Sequence, residues 1–164
     1  MSVLISRQAE GAVIRLSRVC DYGVAMLTHL AREAKGSQSA SEVAEATGVP
    51  GPMASKILKQ LSRAGLLTSQ RGVRGGYGLA RSASTITVAE IIEALEGPIA
   101  LTACVEERAG DCGIERLCPA RANWQRINEA IRRALHEVTL ADMAEAVPPA
   151  FLLAEERASA RAER

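Results

Sequence analysis

From Arg18 onward the apolar residues Val19, Tyr22, Met26, Leu27 and Leu30 recur at helical spacing, predicting a helix to Ala34 with Gly36 as its stop. Ser39 followed by Glu42 is a capping box and opens a short helix through Thr47. Gly48 supplies a tight turn, and Pro50 or Pro52 suits the first turn of the next helix, where a missing N–H costs nothing. That helix, roughly 52–64, turns Met53, Ile57, Leu58 and Leu61 toward a core and ends at Gly65. Leu66–Gln70 reads as a strand, and the glycine-rich stretch 71–81 as a turn returning through Tyr77 and Leu79. A second capping box, Thr87 with Glu90, starts a helix packed by Val88, Ile91, Ile92 and Leu95, which Gly97-Pro98 ends. Residues 99–119 read as a loop or irregular segment. A longer helix follows with Trp124, Ile127, Ile131, Leu135 and Val138 on one stripe, and Thr139 with Asp142 caps a last short helix.

Two short helices across a glycine turn, then a basic glycine-rich hairpin, are the parts of a winged helix-turn-helix. The predicted fold class is therefore mainly α, with a small β-hairpin wing and a long C-terminal dimerisation helix. Charge strengthens the picture. The net charge of the 164 residues is only +1, yet no acidic residue lies between Ala46 and Ala89, where Lys56, Lys59, Arg63, Arg71, Arg74 and Arg81 all fall. A basic segment of this kind can draw in a polyanion within a neutral protein, although an ordinary solvated face explains the charge alone equally well. The second helix of the pair would enter the major groove, with Ser55 and Lys56 as candidates for base contacts and Lys59 and Arg63 for phosphates. Arg71 and Arg74 would bring the wing to the backbone or minor groove. One helix and one wing make few contacts, so a homodimer on palindromic double-stranded DNA is expected, with the Trp124–Leu135 stripe as its partner surface.

The four aromatic residues leave almost no stacking platform for single strands and demand an aliphatic core. No apolar run is long enough to span a bilayer, and the first 13 residues lack the pattern of a secretory signal. A cytoplasmic protein with reduced or metal-bound thiols is the expectation, with no membrane partner and no small-molecule substrate. Nothing resembles a catalytic Ser/His/acid or Cys/His set, so an enzyme is not expected. Cys104, Cys112 and Cys118 are spaced C-x7-C-x5-C, without the close pairs of structural zinc sites. That spacing suits an iron–sulfur cluster, and equally leaves open three idle or buried thiols. Cys20 reads as a core thiol.

With these pieces together, the sequence resembles the iron–sulfur-cluster-sensing winged-helix repressors of the IscR and NsrR type, closest to the branch regulating SUF cluster-assembly genes. The resemblance rests on Ile14-Arg-Leu-Ser-Arg-Val-Cys-Asp-Tyr22-Gly, the helix pair 40–65, the wing Arg71-Gly-x-x-Gly-Gly-Tyr-x-Leu-Ala-Arg81, Ile86-Thr-Val-x-Glu-Ile-Ile92 and the cysteine trio, over roughly residues 14–147. It implies a homodimer with crossing long helices and a cluster, 2Fe–2S ahead of 4Fe–4S, held by Cys104, Cys112 and Cys118. It also implies DNA contacts from Met53, Ala54, Ser55 and Lys56. In one part of that family a histidine three residues after the last cysteine completes the ligand set, and here Arg121 stands there. In another part an aspartate from the partner's first helix does so, and Asp21 matches it. The first cysteine gap is longer than the usual five residues.

The expected organisation is an N-terminal extension (1–13), a DNA-binding domain (14–97), a cluster-binding loop (98–119), the dimerisation helix with the short final helix (120–147) and a flexible tail (148–164). The expected function is a repressor of SUF cluster-assembly genes whose operator affinity depends on the cluster. The rivals are a thiol-based or nitric-oxide-sensing winged-helix regulator and an adaptor that binds proteins instead of DNA.

Overall fold

The computed structural model describes residues 15–33, 36–70, 72, 75–102, 105 and 118–146. Helices α1 (Arg18–Arg32), α2 (Ala40–Thr47) and α3 (Gly51–Arg63) lead into the antiparallel hairpin β1 (Leu67–Gln70) and β2 (Gly76–Leu79). A 3-10 turn (Ala83–Thr85), α4 (Val88–Glu96), the long α5 (Arg121–Glu137) and the short α6 (Leu140–Glu145) follow. This is a mainly helical winged helix-turn-helix, as the hydrophobic pattern predicts.

The core is aliphatic. Met26 and Leu27 of α1, Val43 of α2, Ile57, Leu58 and Leu61 of α3, Ile86, Ile91 and Leu140 are all fully buried in one cluster. Each such side chain contributes roughly 1.5–3 kcal/mol relative to exposure, so the three helices are held by packing and not by propensity. Ser17 caps α1 by accepting the Cys20 N–H. The helix stops at Arg32, two residues short of the predicted end, and Glu33 is already extended. The physical reason lies just beyond: Gln38 must be extended to pair with Tyr77, through N–H···O bonds of 3.0 and 2.7 Å in both directions. This third strand-like segment of the wing was not expected from the sequence.

The α2–α3 turn is built on Gly48, whose φ of 68° only glycine adopts without strain. Pro52 sits in the first turn of α3, as expected.

The final helix belongs to the core: α6 packs on α1, and Leu140 is wholly buried in the winged body. Two backbone bonds make this join: the Val88 N–H donates to the Val138 carbonyl at 2.9 Å, and the Leu140 N–H to the Ile86 carbonyl at 2.8 Å. The capping boxes Thr87–Glu90 and Thr139–Asp142 lie side by side across this bridge. None of the described helices is long and apolar enough to cross a membrane.

Burial pushes the Glu90 carboxyl up, but the Thr87 N–H, the Arg81 guanidinium and the Thr87 hydroxyl outweigh it and hold Glu90 below its ordinary value. A depressed carboxylate contributes stability above its ordinary pKa and loses it as pH falls through the folded value. Glu90→Gln should therefore lower stability at neutral pH, by under about 1 kcal/mol because the pair is partly solvated. Thermal melts should show the deficit closing below the ordinary carboxylate range. A deficit independent of pH would contradict the assignment.

Candidate nucleic-acid interface and thiol segment

Helix α3 has two unlike faces. Ala54, Ile57, Leu58 and Leu61 are fully buried, while Pro52, Lys56, Lys59 and Arg63 are exposed and Met53 and Ser55 are half-buried. Ala54, to which the family resemblance also points, has its methyl group buried in the core. Packing drives this, since Ala54 lies one turn before Ile57 and Leu58 on the inward face. Met53 is shared, lining a small groove with Val19, Ile57 and Leu95. The helix carries no acidic residue in its first turn, so its positive end is left uncompensated by its own sequence.

Position matters as much as charge, and Gln60 supplies it. Its amide Nε2 donates to the Ala94 and Leu95 carbonyls at 3.0 and 3.1 Å, pinning α3 to the last turn of α4. Sequence reasoning missed this role, because a glutamine on an exposed helix carries no signal until its neighbour is known.

The wing is anchored by close backbone approach. A Cβ on Gly76 would lie 2.3 Å from the Gln38 carbonyl oxygen, and one on Gly78 would lie 2.8 Å from that of Gly36. The glycines therefore admit the third segment, and Gln38 also meets His29 Nε2 through its side chain at 2.9 Å. Arg71 and Arg74 lie outside the described residues. Arg81, counted among the basic residues, is turned back onto Glu90 and the Thr85 carbonyl, so it braces the fold.

The thiols divide into two kinds. Cys20 is fully buried, and its pKa is pushed up to about 11 by burial and by Glu96 and Asp21 nearby. It stays protonated and inert at neutral pH. Cys118 is half-buried and free, and its carbonyl accepts the first N–H of α5 at 3.3 Å. Cys104 and Cys112 lie outside the described residues. Asp21 is exposed on α1, at an apolar groove of about 440 Å³ walled by α1, α4 and α6. Among the described residues no three His, Cys, Asp or Glu side chains converge as a metal ion would require. As a donor set, three thiolates within 15 residues suit an iron–sulfur cluster.

This architecture has known counterparts. The model of the Rrf2 family, described as iron-dependent transcriptional regulators, matches residues 16–146. The chain belongs to the Rrf2 family. Protein aau3 of Rhizobium meliloti (strain 1021) is 33% identical over 135 residues, 82% of this chain and 88% of its own length. The structure of CymR (YrzC), the global cysteine regulator of B. subtilis, superposes with a TM-score of 0.63 at 29% identity, covering 82% of this chain and 99% of that one. T. potens IscR gives a TM-score of 0.60 at 30% identity, covering 84% and 90%. This chain is thus an Rrf2-type winged-helix transcriptional regulator, a narrower class than the fold and a broader one than the SUF branch.

Within this Rrf2 chain a wing glycine and a glycine of α3 are predicted to be unequal. Gly76→Ala should cost about 1–3 kcal/mol by forcing apart the β2 backbone and residue 38. Gly51→Ala, with open space around its added Cβ, should leave denaturant midpoints nearly unchanged. Equal effects would refute the close-approach account.

Proposed function

We propose that the chain is a homodimeric regulator that binds double-stranded palindromic DNA through α3 and the wing, and takes its signal through Cys104, Cys112 and Cys118. The observation that carries the DNA reading is the outward edge of α3, where Lys56, Lys59 and Arg63 stand exposed on a helix fixed from behind by Gln60 and the core. Ser55 and Lys56 are the base-reading candidates, Met53 flanks them, and Lys59 and Arg63 hold phosphates. Arg71 and Arg74 extend the contact through the wing.

Dimerisation is supported by the exposed apolar surface. Among the described residues the large exposed hydrophobics are Leu16, Trp124, Ile127 and Val138, and the last three lie on α5 or its C-terminal cap. A stripe of this kind on a helix that projects from the body is the expected mark of a second copy.

For the signal, the coarser reading is the better supported: thiol chemistry at the three cysteines. Direct oxidation needs only these residues, two thiols forming a disulfide while two electrons and two protons pass to a peroxide. A cluster would be held by the same three thiolates and needs a further donor. Arg121 has no lone pair to give; the family resemblance points to the Asp21 carboxylate of a second copy, with a neighbouring glutamate, Cys20 or an exogenous ligand as rivals. When bound, an iron–sulfur cluster supplies a redox-active and oxidant-labile centre. The family's iron-dependent description and the likeness to T. potens IscR favour that narrower form. Its regulated genes would be those of SUF cluster assembly.

Iron, acid-labile sulfide and the visible spectrum of dimer purified without oxygen distinguish the two forms. Stoichiometric iron and sulfide establish the cluster, whereas their absence after full reconstitution leaves direct thiol oxidation. For the DNA reading, Lys59→Ala and Arg63→Ala should each reduce the salt slope of duplex binding by about one per subunit, while Lys56→Ala should cost about 1–3 kcal/mol and relax sequence preference. Binding that none of the three changes would remove α3 from the interface.

A further inference from the structure

Helix α5 is exposed along almost its whole length in one copy of the chain, and the residue it buries is a polar one. Asn128 is 4% exposed, at the edge of the apolar stripe and beside Trp124 and Ile131. A buried carboxamide is unfavourable unless both its ends are bonded, and here both are. Its Oδ1 accepts the Leu101 N–H at 3.1 Å, and its Nδ2 donates to the Ile99 carbonyl at 3.0 Å. The side chain thus pairs with the segment after α4 much as a neighbouring strand would. An apolar residue here could pack against residues 99–101, but only a carboxamide, with donor and acceptor side by side, also fixes their register and direction.

The position of this pairing along the chain gives it a consequence. Cys104 follows Leu101 by three residues, and Cys118 precedes the first residue of α5 by three. The described residues that flank the cysteine-bearing stretch are therefore both bonded to α5: Ile99 and Leu101 through Asn128, about two turns into the helix, and Cys118 through its carbonyl at the helix start. Farther along, α5 is held to the body by Arg132 with Glu93 at 3.3 Å and by the bridge at Val138. The first half of α5 carries Trp124 and Ile127, both exposed. Asn128 and the Cys118 carbonyl thus bracket the half of the helix that presents Trp124 and Ile127.

We propose that Asn128 is the positioning residue through which the thiol segment sets the attitude of α5, and so the spacing of the two recognition helices. This rests on the reading that Cys104, Cys112 and Cys118 carry the signal. Differential affinity between two states is all the switch requires.

The test compares the wild-type chain with Asn128→Leu, close in size and favourable to a helix, and with Asn128→Asp, which keeps the acceptor and loses the donor. The probe is the duplex that the wild-type dimer selects from a randomised library. Its affinity is measured with the cysteines fully reduced, after peroxide treatment, and after anaerobic reconstitution with iron and sulfide. Hydrogen exchange at the Leu101 amide reports the pairing directly. The expected result is a ratio of affinities between states in the wild type that falls to within twofold of unity in Asn128→Leu. That variant should remain dimeric and bind duplex in the reduced state as the wild type does, but lose protection at Leu101. Asn128→Asp should keep protection at Leu101 and lose most of the ratio. A wild-type ratio that survives in Asn128→Leu despite lost protection overturns the role of Asn128 and leaves the thiol reading standing. A wild-type ratio of one in all three states removes the thiol reading, and the role of Asn128 with it.

Discussion

Two backbone hydrogen bonds, from Val88 to the Val138 carbonyl and from Leu140 to the Ile86 carbonyl, join the end of the long helix to the start of α4. Without them α5 would be held to the winged body by the segment after α4 and by side-chain contacts such as Arg132 with Glu93. With them, and with a capping box on each side of the bridge, the base of α5 and the base of α4 form one unit. The core reaches α3 from that unit through Ile91 and Leu140, which share a cluster with Ile57, Leu58 and Leu61. The exposed face of α3 and the apolar stripe of α5 are therefore two ends of one packed object.

This explains why so few side chains carry the candidate interface. A recognition surface needs a helix whose outer edge is free and whose inner edge is immobile. The inner edge here is made by four aliphatic residues, with Gln60 at the carbonyl end of α4 where unpaired acceptors are available. The outer edge needs only to be small, basic and unblocked. The same division recurs in the wing, where Gly76 and Gly78 yield space to the backbone of residues 36–38 and Tyr77 between them pairs with Gln38.

Most of the local structure was legible in the sequence because it is written in local chemistry. The capping boxes at Ser39, Thr87 and Thr139, the left-handed Gly48 and the apolar stripes each act within a few residues, and each appears in the structure as read. What was not legible depends on groups distant along the chain. The burial of Ala54 shows only once the orientation of α3 in the core is known. Arg81 looked like a free cation, and its partner Glu90 is assigned only once the 3-10 turn brings the two together. Gln38 and Gln60 carry no pattern, since a polar side chain that binds a remote backbone resembles any solvated one. Asn128, beside the apolar stripe, is of the same kind, since its partners are the backbone groups of Ile99 and Leu101. Cys104 and Cys112 lie outside the described residues, so the ligand set stands on the chemistry of the sequence.

The energetic scale of regulation agrees with so small a device. A tenfold change in operator affinity is about 1.4 kcal/mol, and a typical internal hydrogen bond contributes about 0.5–1.5 kcal/mol net. The two bonds of Asn128 are thus of the same order as the signal they would transmit. A larger tie would lock α5 in one attitude whatever the state of the thiols, and a weaker one would let the segment move without the helix. The rest of α5 is consistent with this: its described bonds to α4 and the capping residue Thr87 lie in the second half, at Arg132, His136 and the Val138 bridge. A regulator of this construction needs no large rearrangement, only two arrangements of one half-helix that differ by little more than a kilocalorie or two.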